Sequence, residues 1–347
     1  MSAAPDQPPE LPALLELLVQ GEDIGTGAAR HLGDQMMEGA LSGAQMGAVL
    51  ALLRAKGESV AELSGLVASM RQHCIRVQLE GPALDTCGTG GDRLGTFNIS
   101  TVAALVVAGA GLKVAKHGNR SATSRCGSAD VLEQLGVAID LPPEGVVACV
   151  EEAGMGFMFA ASYHPAMRHV AAPRSELGIR TVFNILGPLA NPAGVAFHSL
   201  GVSDPALGAR MAGVLADLGQ PGALVFAGPG GLDELGLSGP SRCWWVRPGS
   251  VREGMIDPAE LGLPGASSEA LAGGDPKVNA ALALAVLEGE QGPRADVVAL
   301  NSAAALVAGE RAADLHEGLV MARDSLASGA ALRVLERLRA VSSGWRS

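Results

Sequence analysis

The spacing of apolar residues changes at Gly81-Pro82, and no other feature of the sequence constrains the fold as strongly. Before this point apolar residues recur only at helical spacing. After it, short apolar runs alternate with helical patterns, as in α/β proteins. We therefore predict a small N-terminal helical domain over residues 1–75 and a larger α/β domain over residues 80–347. Helices around residues 172–195 are candidates to complete the first domain.

The composition limits the kinds of partner that the protein can bind and the cellular compartments in which we expect it. A length of 347 residues suffices for one large domain, or one large and one small, with a sizeable core. The net charge of -11 argues against a nucleic-acid surface. The five widely spaced cysteines form no C-x-x-C pair, so we expect neither zinc nor disulfides, and a cytoplasmic setting. The Pro-rich N-terminus does not resemble a signal peptide, and no apolar run approaches the roughly 20 residues of a membrane span.

Local patterns predict several elements. Helices are expected at 99–108, ended by Gly109 and Gly111, and at 129–135, capped by Ser128. Strands are expected at 112–115 and 223–227. Four glycines lie near plausible breaks between the N-terminal helices, namely Gly21, Gly33, Gly43 and Gly57. Residues 247–275, rich in Pro, Gly and Ser, predict a surface connection with little regular structure.

A glycine-rich stretch, DTCGTGGD at 85–92, is followed by NIST at 98–101. Gly88, Gly90 and Gly91 allow successive N–H groups to turn inward as an anion-binding nest. The helix that begins near Asn98 adds its positive dipole end and the hydroxyls of its first turn. Neither a Walker A loop nor a Rossmann fingerprint is present. The alternative interpretation is a glycine-rich turn before a capped helix.

A second stretch, KHGNR at 116–120 and SATSRCGSAD at 121–130, combines cations with hydroxyls. Four cations, Lys113, Lys116, Arg120 and Arg125, fall so close in sequence that they indicate a local basic pocket. A solvated polar loop is the alternative. Adjacent carboxylates at Asp233 and Glu234, in a glycine-rich loop after a strand, are suited to Mg²⁺, although most such pairs are surface charges.

A fourth stretch runs from HPAMRH at 164–169 through Arg174 to NILGPLANP at 184–192. Arg174 offers a guanidinium fork for a carboxylate. The spacing of His117, His164 and His169 does not match a helical metal pair, which favours packing or hydrogen-bonding roles. Tyr163 is interpreted equally as a ligand contact or a core residue.

These motifs together resemble the anthranilate phosphoribosyltransferase family over nearly the whole chain. GTGGD, NIST, KHGNR, GSADVLE, HPAMRHV, RSELGIRTVFNILGPLANPA and GLDEL occur in the family's order and at its separations. The resemblance implies a nucleoside phosphorylase-like α/β fold with a central, mostly parallel or mixed sheet, and a homodimer formed through the helical domain. The implied reaction joins anthranilate to phosphoribosyl pyrophosphate (PRPP) with Mg²⁺, releasing pyrophosphate in tryptophan biosynthesis.

The resemblance also implies a set of site residues. Anthranilate would contact Gly88, His117, Asn119 and Arg174, with Arg174 facing its carboxylate, and magnesium would involve Ser100, Asp233 and Glu234. PRPP would contact the glycine loop, the first turn of the helix and the basic loop, through Gly88, Gly91, Asp92, Thr96, Asn98, Ile99, Ser100, Thr101, Lys116, His117, Gly118, Asn119, Arg120, Ser121, Ala122, Thr123, Ser124 and Ser128.

Several positions depart from the family's pattern. Ala227 stands where a histidine is common, Ser175 where a second basic residue is frequent, and Thr123 and Cys126 where serines are usual. Two alternative functions stay open for the chain. One is a pyrimidine nucleoside phosphorylase-like enzyme, which would not need Asp233 and Glu234. The other is a non-catalytic paralogue that binds nucleic acid.

Overall fold

The computed structural model describes residues 10–92, 94–121 and 125–345. Contacts between Cα atoms divide the chain into two units. The helical unit comprises Met1–Ile75 and His164–Ala190, and the α/β unit comprises Arg76–Tyr163 and Asn191–Ser347. The predicted fold class, a small N-terminal helical domain and a larger α/β domain, is confirmed.

The regular elements are given in chain order. The helices are α1 (Leu11–Val19), α2 (Gly25–Met37), α3 (Gly43–Lys56), α4 (Val60–Gln72), α5 (Ile99–Gly109), α6 (Ser128–Gln134), α7 (Pro143–Ala153), α8 (Ala160–Tyr163), α9 (Arg168–Leu177), α10 (Phe183–Leu186), α11 (Pro205–Asp217), α12 (Pro276–Leu287), α13 (Pro293–Ala308), α14 (Leu315–Ala327) and α15 (Ala330–Ser343). The strands are β1 (Leu84–Gly88), β2 (Val114–Gly118), β3 (Met155–Phe159), β4 (Phe197–Gly201), β5 (Gly222–Ala227), β6 (Ser241–Arg247) and β7 (Ser250–Ile256). Short 3₁₀ turns lie at Pro165–Met167, Gly187–Leu189, Pro229–Gly231 and Ser268–Leu271.

In the helical unit, α2 and α4 approach closely because small residues face each other. A Cβ on Gly65 would lie 2.3 Å from the carbonyl oxygen of Thr26, and one on Gly33 would lie 2.8 Å from Cβ of Ser69. The prediction that Gly33 marks a break is therefore wrong, since it lies inside α2 at this crossing. Ser42 and Ser59 begin α3 and α4 with capping boxes, which satisfy backbone N–H groups at both helix starts.

The α/β unit is built on a seven-stranded sheet in the order β3-β2-β1-β4-β5-β6-β7. The first five strands in that order are parallel, and β6 and β7 are antiparallel. Helix α5 packs against α13 and α15, and its residues from Thr101 to Ala108 are buried on every side. A helix that is apolar all round belongs in a core, so the segment after the glycine-rich loop is rigidly held.

Two further local predictions are corrected by the structure. The strand expected at 112–115 runs instead from Val114 to Gly118, because partners inside the protein allow Lys116 and His117 to be buried. Over residues 257–275 the expectation of little regular structure holds, since the one helical element there is the 3₁₀ turn Ser268–Leu271. It fails at β7, which forms a hairpin with β6 through Gly249 at φ 68°. This strand is mostly exposed at the sheet's edge, so its sequence lacks an apolar pattern.

Within residues 10–92, 94–121 and 125–345, no helix combines the length and the apolar character needed to cross a bilayer.

The crossing of α2 and α4 yields a stability prediction. Gly65→Ala should destabilise the protein by about 1–3 kcal/mol, because the added methyl meets backbone that cannot move aside. Gly47→Ala is the matched control in α3, where the nearest atom would lie 4.0 Å away. It should stabilise by roughly 0.5–1 kcal/mol through the lower entropy of the unfolded chain. Urea-unfolding midpoints that move together for both variants would contradict this packing.

Candidate active site

Four loops meet at one edge of the sheet. Strands β1, β2, β4 and β5 are parallel neighbours, so their carboxyl ends lie at the same edge, where α/β proteins bind ligands. The glycine-rich loop follows β1, and the loop that begins at Asn119 follows β2. Ser203 follows β4, and the segment containing Asp233 and Glu234 follows β5.

Two glycines allow the Asp233 segment to reach this edge. Gly88 and Gly201 are paired residues at the ends of β1 and β4. A Cβ on Gly88 would lie 2.4 Å from Oδ2 of Asp233, and one on Gly201 would lie 1.7 Å from the Asp233 carbonyl oxygen. Side chains at either position would exclude the carboxylate from the space that it occupies.

The two carboxylates bind backbone N–H groups of the glycine loop and of α5. Oδ2 of Asp233 accepts a hydrogen bond of 2.7 Å from the N–H of Gly90, and Oε1 of Glu234 accepts one of 3.0 Å from the N–H of Ser100. The second donor lies in the first turn of α5, where the helix dipole favours negative charge. Residues separated by more than 130 positions thus form one constellation.

Negative charge accumulates in this constellation. Burial raises the pKa of Asp233, and the neighbouring carboxylate of Asp92 raises it further. Burial likewise raises the pKa of Glu234, and repulsion from Asp233 adds to the shift, while Lys116 opposes it. A bound cation would offset this repulsion.

The oxygen donors fit Mg²⁺. Carboxylate and hydroxyl oxygens are magnesium's usual ligands, and the Ser100 hydroxyl interacts with Glu234. Among residues 10–92, 94–121 and 125–345, no three His, Cys, Asp or Glu side chains form a closed metal cluster. Mg²⁺ usually keeps several waters or ligand oxygens in its shell, so two carboxylates and a hydroxyl are enough protein ligands for it.

Asp130 accepts hydrogen bonds from three residues between β2 and α6, a role that the sequence analysis missed. Its Oδ2 accepts hydrogen bonds from the N–H groups of Ser121 (3.1 Å) and Gly127 (2.8 Å), and its Oδ1 accepts one from the guanidinium of Arg120. Asp130, not Ser128, therefore caps α6, since Ser128 donates its hydroxyl to Asn119. The sequence contained a signal for this role, because an acidic residue three positions after the N-cap residue is typical of a capping box.

The predicted basic pocket is not formed by all four cations. Lys113 precedes β2, at the other end of the strand, and pairs with Glu151 at 2.5 Å. Arg120 pairs with Asp130 and Glu133 and stacks over Phe159. The prediction was wrong for Lys113, because an extended strand places residues that are near in sequence at its opposite ends. Arg125 is exposed at the loop.

Lys116 is 2% exposed and lies beneath the site. Its ammonium group donates to the carbonyl oxygen and, at 3.4 Å, to the hydroxyl of Thr86. Asp85 lies close enough for Lys116 to lower its pKa, although burial dominates and raises that pKa to about 6. Asp85 also accepts hydrogen bonds from the N–H of His117 (3.2 Å) and the amide of Asn191 (2.7 Å). Lys116 thus supplies positive charge from below, toward both Asp85 and Glu234.

The remaining predicted PRPP contacts differ in orientation. Ile99 and Thr101 are each 1% exposed, counting backbone and side chain together. Thr96 pairs with Ala272, and Asn98 donates its amide to the carbonyl oxygen of Cys126 at 3.2 Å. Ala122, Thr123 and Ser124 lie outside the described residues. Of the departures from the family pattern, Ala227 and Cys126 are buried, and Ser175 is exposed.

The predicted anthranilate residue Arg174 belongs to the helical unit, on α9. Its guanidinium lies 5.6 Å from the ring centroid of Phe183, and partial burial lowers its pKa. His164, in the same unit, is buried, which lowers its pKa to about 4 and keeps the ring neutral near pH 7. Tyr163 is a core residue, since it is 2% exposed and donates its hydroxyl to Leu141 at 2.8 Å.

Comparison with known proteins matches both units. Residues 12–74 match the helical bundle domain of a glycosyl transferase family, and residues 80–332 match the a/b domain of that family. Anthranilate phosphoribosyltransferase from Roseiflexus castenholzii is 55% identical over 94% of this chain and 96% of its own length. The chain belongs to the anthranilate phosphoribosyltransferase family. The resemblance inferred from the motifs is confirmed.

Solved structures of anthranilate phosphoribosyltransferases share the whole architecture. The enzyme from Thermus thermophilus superposes with a TM-score of 0.90 at 45% identity, covering 95% of this chain and 99% of that one. The Saccharomyces cerevisiae enzyme in complex with PRPP and Mg has a TM-score of 0.87 at 28% identity, covering 96% of this chain and 98% of that one. Another structure of the yeast enzyme contains 4-fluoroanthranilate.

The close approach of the Asp233 segment to Gly88 and Gly201 leads to a testable prediction about the hydrogen bond between Asp233 and Gly90. Gly201→Ala should displace the Asp233 carbonyl and break its carboxylate's bond to Gly90. A charged hydrogen bond contributes about 1.5–3 kcal/mol, so deuterium exchange at Gly90 should accelerate about tenfold or more. Gly239→Ala is the control, because a Cβ there meets no atom within 4 Å. Equal exchange at Gly90 in the two variants would refute the constraint.

Proposed function

We propose that this protein transfers the phosphoribosyl group of PRPP to the amine of anthranilate, giving N-(5-phosphoribosyl)anthranilate and pyrophosphate. The observation that carries the proposal is the convergence of Asp233 and Glu234 on the glycine-rich loop and on the first turn of α5. Family membership and the relatives' complexes with PRPP, Mg and 4-fluoroanthranilate support it.

PRPP would lie along the ends of β1 and β2. Gly90 and Gly91 have positive φ angles of 65° and 82°, a conformation that glycine adopts without strain. The N–H of Gly90 is directed at Asp233, so this turn places the loop against the carboxylate assigned to the metal. The proposed contacts of PRPP are Gly88, Gly91, Asp92, Thr96, the run 98–101, the loop 116–124 and Ser128. The N–H groups of Ser121 and Gly127 donate to Asp130, which fixes the backbone at these two residues.

We assign Asp233, Glu234 and the hydroxyl of Ser100 to the magnesium site. When bound, Mg²⁺ would offset the charge that develops on the departing pyrophosphate. Hydrogen bonds from the N–H groups of Gly90 and Ser100 limit the orientations that the two carboxylates can adopt. Such preorganisation is the main way in which a site stabilises developing charge.

Anthranilate would contact Gly88, His117, Asn119 and Arg174. The guanidinium of Arg174 suits the carboxylate of anthranilate, and stacking over Phe183 limits its rotamers. The aromatic amine attacks the anomeric carbon as pyrophosphate leaves, so the reaction gains most from alignment of the two substrates. The site needs no protein nucleophile for this displacement.

We further infer a homodimer formed through the helical domain, and a cytoplasmic setting. Val19 on α1 is 63% exposed, which leaves an apolar side chain available to a second copy. The spacing of the cysteines in the sequence is typical of a reducing compartment. Light scattering that gives the mass of a single chain would contradict the dimer.

Turnover of PRPP and anthranilate, followed by the loss of anthranilate fluorescence, tests the reaction. The double variant Asp233→Asn, Glu234→Gln should lower kcat/KM roughly a hundredfold and change its Mg²⁺ dependence. The matched control is Glu151→Gln, Glu152→Gln, an exposed adjacent pair on α7, which should retain full activity. No turnover by the folded wild-type protein would refute the proposed function, and wild-type behaviour of the double variant would refute the metal site.

Arg174→Ala should raise the KM for anthranilate by roughly ten- to a hundredfold and leave the KM for PRPP nearly unchanged, because it removes a charge-assisted bond to one substrate only. Arg168→Ala, an exposed arginine on the same helix, should affect neither. A nucleoside phosphorylase would instead cleave pyrimidine nucleosides with phosphate and show no such split. Equal increases in both constants would exclude the assigned role.

A further inference from the structure

Two buried asparagines interrupt the apolar faces of the C-terminal helices. Asn279 on α12 is 2% exposed, and Asn301 on α13 is 3% exposed. The surrounding sequence of both helices is rich in Ala, Leu and Val. A buried amide is costly unless it is hydrogen-bonded, so the partners of these side chains indicate what each one does.

Asn301 holds the residue that follows Glu234. Its Oδ1 accepts a hydrogen bond from the N–H of Leu235 (2.9 Å), and its Nδ2 donates to the carbonyl oxygen of Leu235 (3.0 Å). The second amide hydrogen is donated to Val297 within α13 (2.8 Å). The side chain therefore pairs with both backbone groups of one residue, as a neighbouring strand would, and fixes the chain next to Glu234.

Asn279 holds the residue that precedes α5. Its Nδ2 donates to Oδ1 of Asn98 (2.9 Å), and its Oδ1 accepts from the N–H of Gly274 (2.7 Å). Asn98 in turn donates its own amide to the carbonyl oxygen of Cys126 (3.2 Å), in the segment before α6. This chain of amides joins α12 to the loops that precede α5 and α6.

The two asparagines act on different parts of the site. Asn301 constrains the Glu234 side, and Asn279 constrains the Asn98 side. We propose that Asn301 and Asn279 are positioning residues, one for the metal-binding carboxylate and one for the PRPP-binding loops. This inference rests on the proposed function. It assigns a separate, measurable role to each of two helices that contribute no residue to the site as predicted from the sequence.

Asn301→Ala tests the first half of the proposal. The half-saturating Mg²⁺ concentration for turnover should rise roughly tenfold, as expected for the loss of one to two hydrogen bonds, with the KM for PRPP at saturating Mg²⁺ within about twofold of wild type. Mn²⁺ titration in the presence of PRPP, followed by the electron paramagnetic resonance of free Mn²⁺, should show the same weakening without turnover. Asn301→Asp keeps the side-chain volume and adds a negative charge near the site. The charge by itself would strengthen the binding of a cation. Weaker Mn²⁺ binding by this variant therefore supports positioning.

Asn279→Asp tests the second half. An aspartate can accept the N–H of Gly274 but cannot donate to Asn98, so the KM for PRPP should rise roughly tenfold at saturating Mg²⁺, with the half-saturating Mg²⁺ concentration nearly unchanged. A role in volume filling alone predicts wild-type constants for this isosteric variant.

Ser302→Ala is the control for general destabilisation. Ser302 is fully buried on α13, and its hydroxyl donates only to Val298 of the same helix at 2.7 Å. The melting temperature of each variant is measured without ligands, alongside the titrations. If both asparagine variants shift the two constants by the same factor, or only lower the melting temperature as Ser302→Ala does, the inference is overturned. Turnover by wild type tests the proposed function separately, since an active wild type with unshifted variants overturns this inference alone.

Discussion

The contact of two carboxylates with two backbone N–H groups ties the α/β unit together at its functional edge. Asp233 and Glu234 follow β5 and reach Gly90 and Ser100, which follow β1, across the one intervening strand β4. Glycines at the ends of β1 and β4 leave the space for them. The glycine-rich loop and the start of α5 are therefore shaped partly by residues that lie far along the chain. This arrangement requires the parallel order of β1, β4 and β5, because only that order brings their carboxyl ends to one edge.

Electrostatics explain why such a site suits a magnesium–pyrophosphate substrate. Burial raises the pKa of both Asp233 and Glu234. Repulsion from Asp92 adds to the shift of Asp233, and repulsion from Asp233 adds to that of Glu234, which Lys116 opposes. Arg120, which the sequence suggests as a phosphate ligand, is paired with Asp130 and Glu133. The edge thus offers oxygen ligands to a cation, and backbone N–H groups to the anion that accompanies it.

Much of the fold and part of the site could be predicted from local pattern. Helix α5 and strand β5 were predicted closely, because each is a compact apolar run bounded by glycines. Strand β7 was missed, because an exposed edge strand needs no apolar alternation. Gly33 was misread as a break, because a glycine at a helix crossing and a glycine at a helix end look alike in sequence. The roles of Asp130, Asn279 and Asn301 depend on partners that no local pattern reveals.

The sequence by itself determined the chemistry available to this protein: a flexible glycine loop, a helix start rich in hydroxyls, an adjacent carboxylate pair, and the ordered motifs of its family. These follow from residue type and short-range spacing, which act before any long-range contact forms. The tertiary structure alone decided which of these groups meet. It buried Lys116 and placed Lys113 at the opposite end of β2. It also brought Asp233 to the glycine loop, Glu234 to the start of α5, and two distant asparagines to the residues beside them. The physical reason is that sheet order and burial, rather than separation along the chain, set the distances between side chains.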